Sequence, residues 1–226
     1  MSDVVESLRG GLVVSCQAYP GEPMRHAETM AQLAQAACMG GAVGIRTEGT
    51  ECVNLIRQRL GVPIVGLWKD GEPDDVFITP TLQHALAVAR AGSQVVAVDG
   101  TRRARPDELT LAQVVEGVHT ESDALVMADC GSLEDAVAAT DAGVDVLGTT
   151  LAGYTPDRDR TEGPDLELVS AIAHRLPDVP LLAEGRVHTP AQARQALEAG
   201  AFAVVVGTAI THPATITGWF VQALEG

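Results

Sequence analysis

Eight short apolar runs rich in Val and Ala punctuate the chain, at 11–18, 42–46, 62–69, 94–99, 124–130, 145–150, 180–186 and 201–208. Apolar side chains follow one another in them with little polar alternation. That is the pattern of strands covered on both faces, and hence of a parallel sheet wrapped by helices. Between the runs the apolar positions take helical spacing, as in 26–39, 79–91, 132–142, 165–175 and 190–199. Gly40, Gly92, Gly143 and Gly200 stand where a helix C-terminus favours glycine. Eight strand–helix units within 226 residues predict an α/β fold, the (β/α)₈ TIM barrel, since an open doubly wound sheet would have less apolar edge strands. No composition shift or linker divides the chain, so one domain spanning residues 1–226 is expected.

Barrels of this kind build their sites at the C-terminal strand ends, so the polar residues that close the apolar runs are the candidates. They are Ser15 and Gln17, Arg46, Lys69, Asp99, Asp129, Thr149 and Thr150, Glu184 with Arg186, and Gly207 with Thr208. Gly185, Arg186, Gly207 and Thr208 close the seventh and eighth runs, where barrels hold phosphate on backbone N–H groups. A phosphorylated substrate is expected there, with His188 and His212 nearby and Pro213 opening a last helix towards the same corner.

Composition sharpens one of these candidates. Lys69 is the only lysine, and the other 14 cationic positions are all arginine. A desolvated ammonium can lose its proton near neutrality and a guanidinium cannot, so Lys69 is the candidate for proton transfer or Schiff-base chemistry. The net charge of −15 excludes nucleic acid and anionic membrane surfaces as partners. Residues 1–10 do not read as a secretory leader and no run is long enough to cross a bilayer, so a soluble, cytoplasmic protein is expected. Cys16, Cys38, Cys52 and Cys130 lack C-x-x-C spacing, and no histidine pair has metal-ligand spacing. No metal and no organic cofactor are expected.

The strings GLVVSCQ (11–17), PGEP (20–23), GAVGIR (41–46), ITPT (78–81), MAD (127–129), GTTLAGYT (148–155), AEGR (183–186) and VVVGTAIT (204–211) together resemble the N-acetylmannosamine-6-phosphate 2-epimerases, in order along almost the whole chain. The resemblance implies a barrel that interconverts N-acetylmannosamine 6-phosphate and N-acetylglucosamine 6-phosphate in amino-sugar and sialic-acid catabolism. It further implies Lys69 as acid/base, Glu184 assisting proton movement at the sugar oxygens, and Gln17, Arg46 and Asp129 holding the substrate, with Arg46 also at the enolate oxygen. Thr150, Gly185, Arg186, Gly207, Thr208 and His212 complete the expected substrate-binding set. One departure stands out: the family's last motif carries an Arg after Ala-Ile-Thr, and this chain has His212 there, expected to face the phosphate. A Schiff-base aldolase and a non-catalytic sugar-phosphate-binding barrel are the competing readings. A homodimer is the expected assembly.

Overall fold

The computed structural model describes residues 2–72 and 75–225; the ends of the expected domain, Met1 and Gly226, lie outside the described residues, as do Pro73 and Asp74. Each apolar run becomes a strand. β1 (Leu12–Cys16), β2 (Gly44–Glu48), β3 (Ile64–Leu67), β4 (Val95–Asp99), β5 (Leu125–Asp129), β6 (Val146–Gly148), β7 (Leu181–Glu184) and β8 (Ala203–Val206) pair in sequence order. Every pairing is parallel, and β8 returns to β1 through Val14↔Val206, which closes the barrel.

The strands are apolar on both faces because each face meets a different core. Val13, Val65, Leu67, Val95, Ala97, Met127, Val146, Leu182 and Val205 fill the barrel interior. The strand residues that alternate with the inward positions, among them Val14, Ile45, Ile64, Val96, Val126, Leu147 and Val204, face the helix ring. A short α1 (Asp3–Glu6), capped by Ser2, plugs the N-terminal end of the barrel with Val5 and Leu8, and the Gly10 N–H bonds the Phe202 carbonyl oxygen at 2.7 Å. Filling the bottom with apolar side chains leaves only the opposite mouth for polar chemistry.

The ring consists of α2 (Ala27–Met39), α3 (Thr50–Arg59), α4 (Leu82–Arg90), α5 (Leu111–Glu121), α6 (Leu133–Asp141), α7 (Leu166–Arg175) and α8 (Pro190–Glu198). Caps set several of their starts: Thr110 and Thr189 form capping boxes with Gln113 and Gln192, and Ser132 accepts the Asp135 N–H. The segment expected to be helical from residue 79 begins its helix only at Leu82. Thr79 and Pro80 belong instead to a returning segment, in which Ile78 bridges back antiparallel to Lys69 and the Thr79 N–H bonds the Trp68 carbonyl at 2.7 Å. Two helices follow β8, a single turn α9 (Thr208–Thr211) and α10 (Pro213–Glu225).

Candidate active site

Successive strand side chains face opposite ways, so residues two apart share a face. Val65 and Leu67 lie in the barrel interior, and the same parity brings Lys69 in above them. Leu125 and Met127 do this for Asp129, Leu182 for Glu184, Val13 and Ser15 for Gln17, and Val146 and Gly148 for Thr150. Gly148 is small for a reason: a Cβ there would run into Met127 and lie 3.2 Å from Asp129 Oδ1.

At the floor of the mouth, Arg46 Nη1 and Nη2 donate to Asp129 Oδ1 and Oδ2 at 3.2 and 2.6 Å. Its Nε lies 3.3 Å from Glu184 Oε1, near enough for charge pairing but without a hydrogen-bond partner. The Thr150 hydroxyl sits between the two acids, 2.6 Å from Asp129 Oδ1 and 3.1 Å from Glu184 Oε2. The hydroxyl has one proton to share between them, so it ties the two acid side chains together. Burial pushes the Glu184 carboxyl above the usual carboxylate range, Asp129 adds to the effect, and the Arg46 guanidinium opposes it. Arg46, expected at an enolate oxygen, is instead committed first to these carboxylates.

Lys69 lies beyond the end of β3, held by its bridge to Ile78 and by the Asp70 N–H to the Phe77 carbonyl at 3.0 Å. Its ammonium makes no hydrogen bond or ion pair among the described residues; its one close partner is the Tyr19 ring, whose centroid is 5.9 Å away. Burial holds its pKa below the ordinary lysine value of 10.5, and Arg46 acts in the same direction, against the carboxylates Glu48, Glu184 and Asp129. Glu48 escaped the sequence reading, although it stands two residues after Arg46 and shares its face. Gln17 Nε2 donates to Ser15 Oγ at 2.8 Å, and its Oε1 is a buried acceptor without a partner.

Other expected residues take different partners. Asp99 is buried and bound by the Thr101 N–H and hydroxyl and by Arg103, so its carboxylate organises the loop after β4. Cys16 faces the helix ring, and burial pushes its thiol up to about 12. The turn after β7 uses positive φ at Gly185 (111°) and Arg186 (55°). Arg186 then spends its guanidinium on the loop between β6 and α7, donating to the Ala152 carbonyl at 2.8 Å, the Gly163 carbonyl at 3.1 Å and Thr161 Oγ1 at 3.0 Å. Both ring nitrogens of His212 are engaged as well, Nδ1 with Thr215 Oγ1 and Nε2 with Glu22 Oε1, each at 2.6 Å. An imidazole held at both nitrogens has no N–H left for a phosphate, so the expected phosphate contact does not fit this geometry. Gly207 and Thr208 form the turn from β8 into α9, beside Ser15 of β1. Tyr154 lies within 5.4 Å of the Arg186 guanidinium carbon and 5.1 Å of that of Arg160. Arg160 is exposed and has no carboxylate partner among the described residues. Nothing in the sequence pattern singled it out, since it stands in a polar loop.

Comparison with known proteins agrees with this architecture. Residues 30–226 match the family model described as "Putative N-acetylmannosamine-6-phosphate epimerase". Relatives bearing the 2-epimerase form of that description are 56% identical in Cutibacterium acnes, over 98% of this chain and 97% of the relative, and 43% identical in Caldanaerobacter subterraneus, over 99% and 94%. The solved structure of the N-acetylmannosamine-6-phosphate 2-epimerase from Clostridium perfringens superposes with a TM-score of 0.94 at 34% identity, covering 98% of this chain and 96% of that one. Identity at this level across both full lengths, on a barrel of matching shape, carries the assignment: the chain belongs to the N-acetylmannosamine-6-phosphate 2-epimerase family.

Proposed function

We infer that this protein interconverts N-acetylmannosamine 6-phosphate and N-acetylglucosamine 6-phosphate by removing and restoring the proton at C2. The C2 hydrogen is acidic only beside the C1 carbonyl of the open-chain sugar, so the site needs a neutral base for C2 and an acid for the sugar oxygens. The observation that carries the reading is the meeting of Lys69 and Glu184 at one mouth around the Arg46–Asp129 pair, where burial works to lower the pKa of Lys69 and to raise that of Glu184. The Lys69 amine is the group to accept the C2 proton, and the Glu184 carboxyl the group to exchange a proton with the oxygen where enolate charge develops. Arg46 fixes both acids in place, and the free Gln17 Oε1 accepts from a substrate hydroxyl or amide N–H.

The phosphate is received between the turns at Gly185 and Gly207, with Arg160 supplying the free guanidinium, because Arg186 and His212 are engaged elsewhere. No metal step is invoked, and among the described residues no three His, Cys, Asp or Glu side chains converge as metal ligands. The decisive experiment is proton NMR of N-acetylmannosamine 6-phosphate with enzyme in D₂O, which should show deuterium entering C2 as the epimer accumulates. A borohydride-trapped adduct at Lys69 would favour the aldolase reading instead.

Assembly as a homodimer is part of the proposal. The helix α10 buries none of its residues and exposes Phe220, Val221 and Leu224, an apolar surface that a second copy would cover. Phe220→Glu with Leu224→Glu should give a monomer in light scattering. No helix of the described residues is long and apolar enough to cross a membrane, and the four cysteines are free thiols, which suits a cytoplasmic location.

A further inference from the structure

We propose that Tyr19 is a positioning residue for the proton transfer: its ring walls Lys69 off from water, and a clasp between Glu22 and His212 holds it there. The proposal rests on Lys69 as the base, but its test does not require activity.

Tyr19 stands in the loop between β1 and α2, two residues after Gln17, and is 58% exposed. An exposed aromatic in a Pro- and Gly-containing loop is free to move unless something ties it down. Three contacts do so. Its N–H donates to Glu22 Oε2 at 2.8 Å, the other oxygen of Glu22 holds His212 Nε2 at 2.6 Å, and the His212 ring meets the Tyr19 ring edge-on at 5.2 Å and 73°. His212 is itself fixed by Thr215 at the start of α10, and below it Thr211 Oγ1 donates to the Ser15 carbonyl at 2.7 Å. The first and last strand–helix units are thereby joined at the base of the loop and at its tip. An imidazole can bind Thr215 and Glu22 at once while presenting its ring to Tyr19.

The joined loop carries the Tyr19 ring to 5.9 Å from Lys69 Nζ. The charged groups acting on Lys69 are Glu48 and Arg46 of β2, Asp129 of β5 and Glu184 of β7, while Glu22, His212, Tyr154 and Arg160 stand about the Tyr19 side chain. The carboxylates Glu48 and Asp129 against one arginine favour the charged ammonium, so exclusion of water has to tip the balance towards the free amine. Removing the ring would admit water and leave the carboxylates in control.

Because Lys69 is the only lysine, protein labelled with lysine carrying ¹³C at Cε gives one side-chain resonance from position 69, and its pH titration reads this residue directly. Tyr19→Ala should raise the titration midpoint by ~1 pH unit. Tyr19→Phe should leave it in place, since the ring and not the hydroxyl forms the wall. Glu22→Ala should raise it in the same direction, with no further rise when combined with Tyr19→Ala. A midpoint that stays or falls in Tyr19→Ala overturns the wall, a Tyr19→Phe variant that behaves like Tyr19→Ala overturns the role of the ring, and an unmoved Glu22→Ala overturns the clasp. Failure of Lys69 as the base would show separately, as turnover in Lys69→Arg.

Discussion

Arg46 grips Asp129 through both terminal nitrogens at a place where their side chains are 2% and 0% exposed. The pair is the keel of the site, since Thr150 and Glu184 are arranged around it. Breaking a buried pair from one side leaves an uncompensated charge. Asp129→Ala is therefore expected to destabilise the fold by about 3–5 kcal/mol. Asp129→Asn, which keeps an acceptor for one guanidinium nitrogen, should cost less. Urea melts of the two variants check the order.

Lys69→Met should abolish C2 exchange and also stabilise the protein. The folded-state pKa of Lys69 lies below the unfolded value, so between the two the unfolded chain binds more protons and stability rises with pH. Below the folded value the penalty for a buried ammonium is present in full. Removing the amine is expected to gain about 0.5–2 kcal/mol near neutrality, with the gain shrinking as pH approaches ~10.4. Melts at neutral and alkaline pH read both the gain and its decline.

Glu184→Gln separates proton transfer from architecture. The amide can still bond Thr150 and face Arg46, so stability should change by about 1 kcal/mol or less. Without a proton to exchange, kcat should fall by about 10²–10⁴-fold. Steady-state kinetics beside a thermal melt tests the pair of outcomes; loss of the fold together with activity would make Glu184 a structural residue.

Arg160→Ala should raise KM for the phosphorylated sugar by about 5–10-fold while leaving kcat nearly unchanged, as expected for binding shared by ground and transition states. Arg186→Ala, which frees the Ala152 and Gly163 carbonyls, should lower kcat as well because the loop after β6 loosens. Equal effects of both variants on both constants would place Arg160 in the loop scaffold and away from the phosphate.

Activity should survive prolonged treatment with EDTA, because Lys69 and Glu184 between them provide the base and the acid that the reaction requires. Stoichiometric loss on chelation, restored by a divalent ion, would bring a metal into the mechanism.

The barrel and the floor of its site were legible in the chain because both follow from local rules. Apolar runs with two covered faces specify strands of a parallel sheet, and the period of two then sends Gln17, Arg46, Lys69, Asp129, Thr150 and Glu184 to one mouth. The same period would have found Glu48, had β2 been carried two residues beyond Arg46. What the period cannot supply is the partner of a side chain once the loops have closed over it. Asp99 points inward like Asp129, yet Thr101 and Arg103 take it into a loop. Arg186 turns to the carbonyls of residues 152 and 163, and His212 reaches Glu22 across nearly the whole length of the sequence. A guanidinium or an imidazole bonds equally well to a phosphate, a carbonyl or a carboxylate. Sequence therefore decided which residues stand at the mouth, and only the meeting of distant loops decided which of them remain free for a substrate.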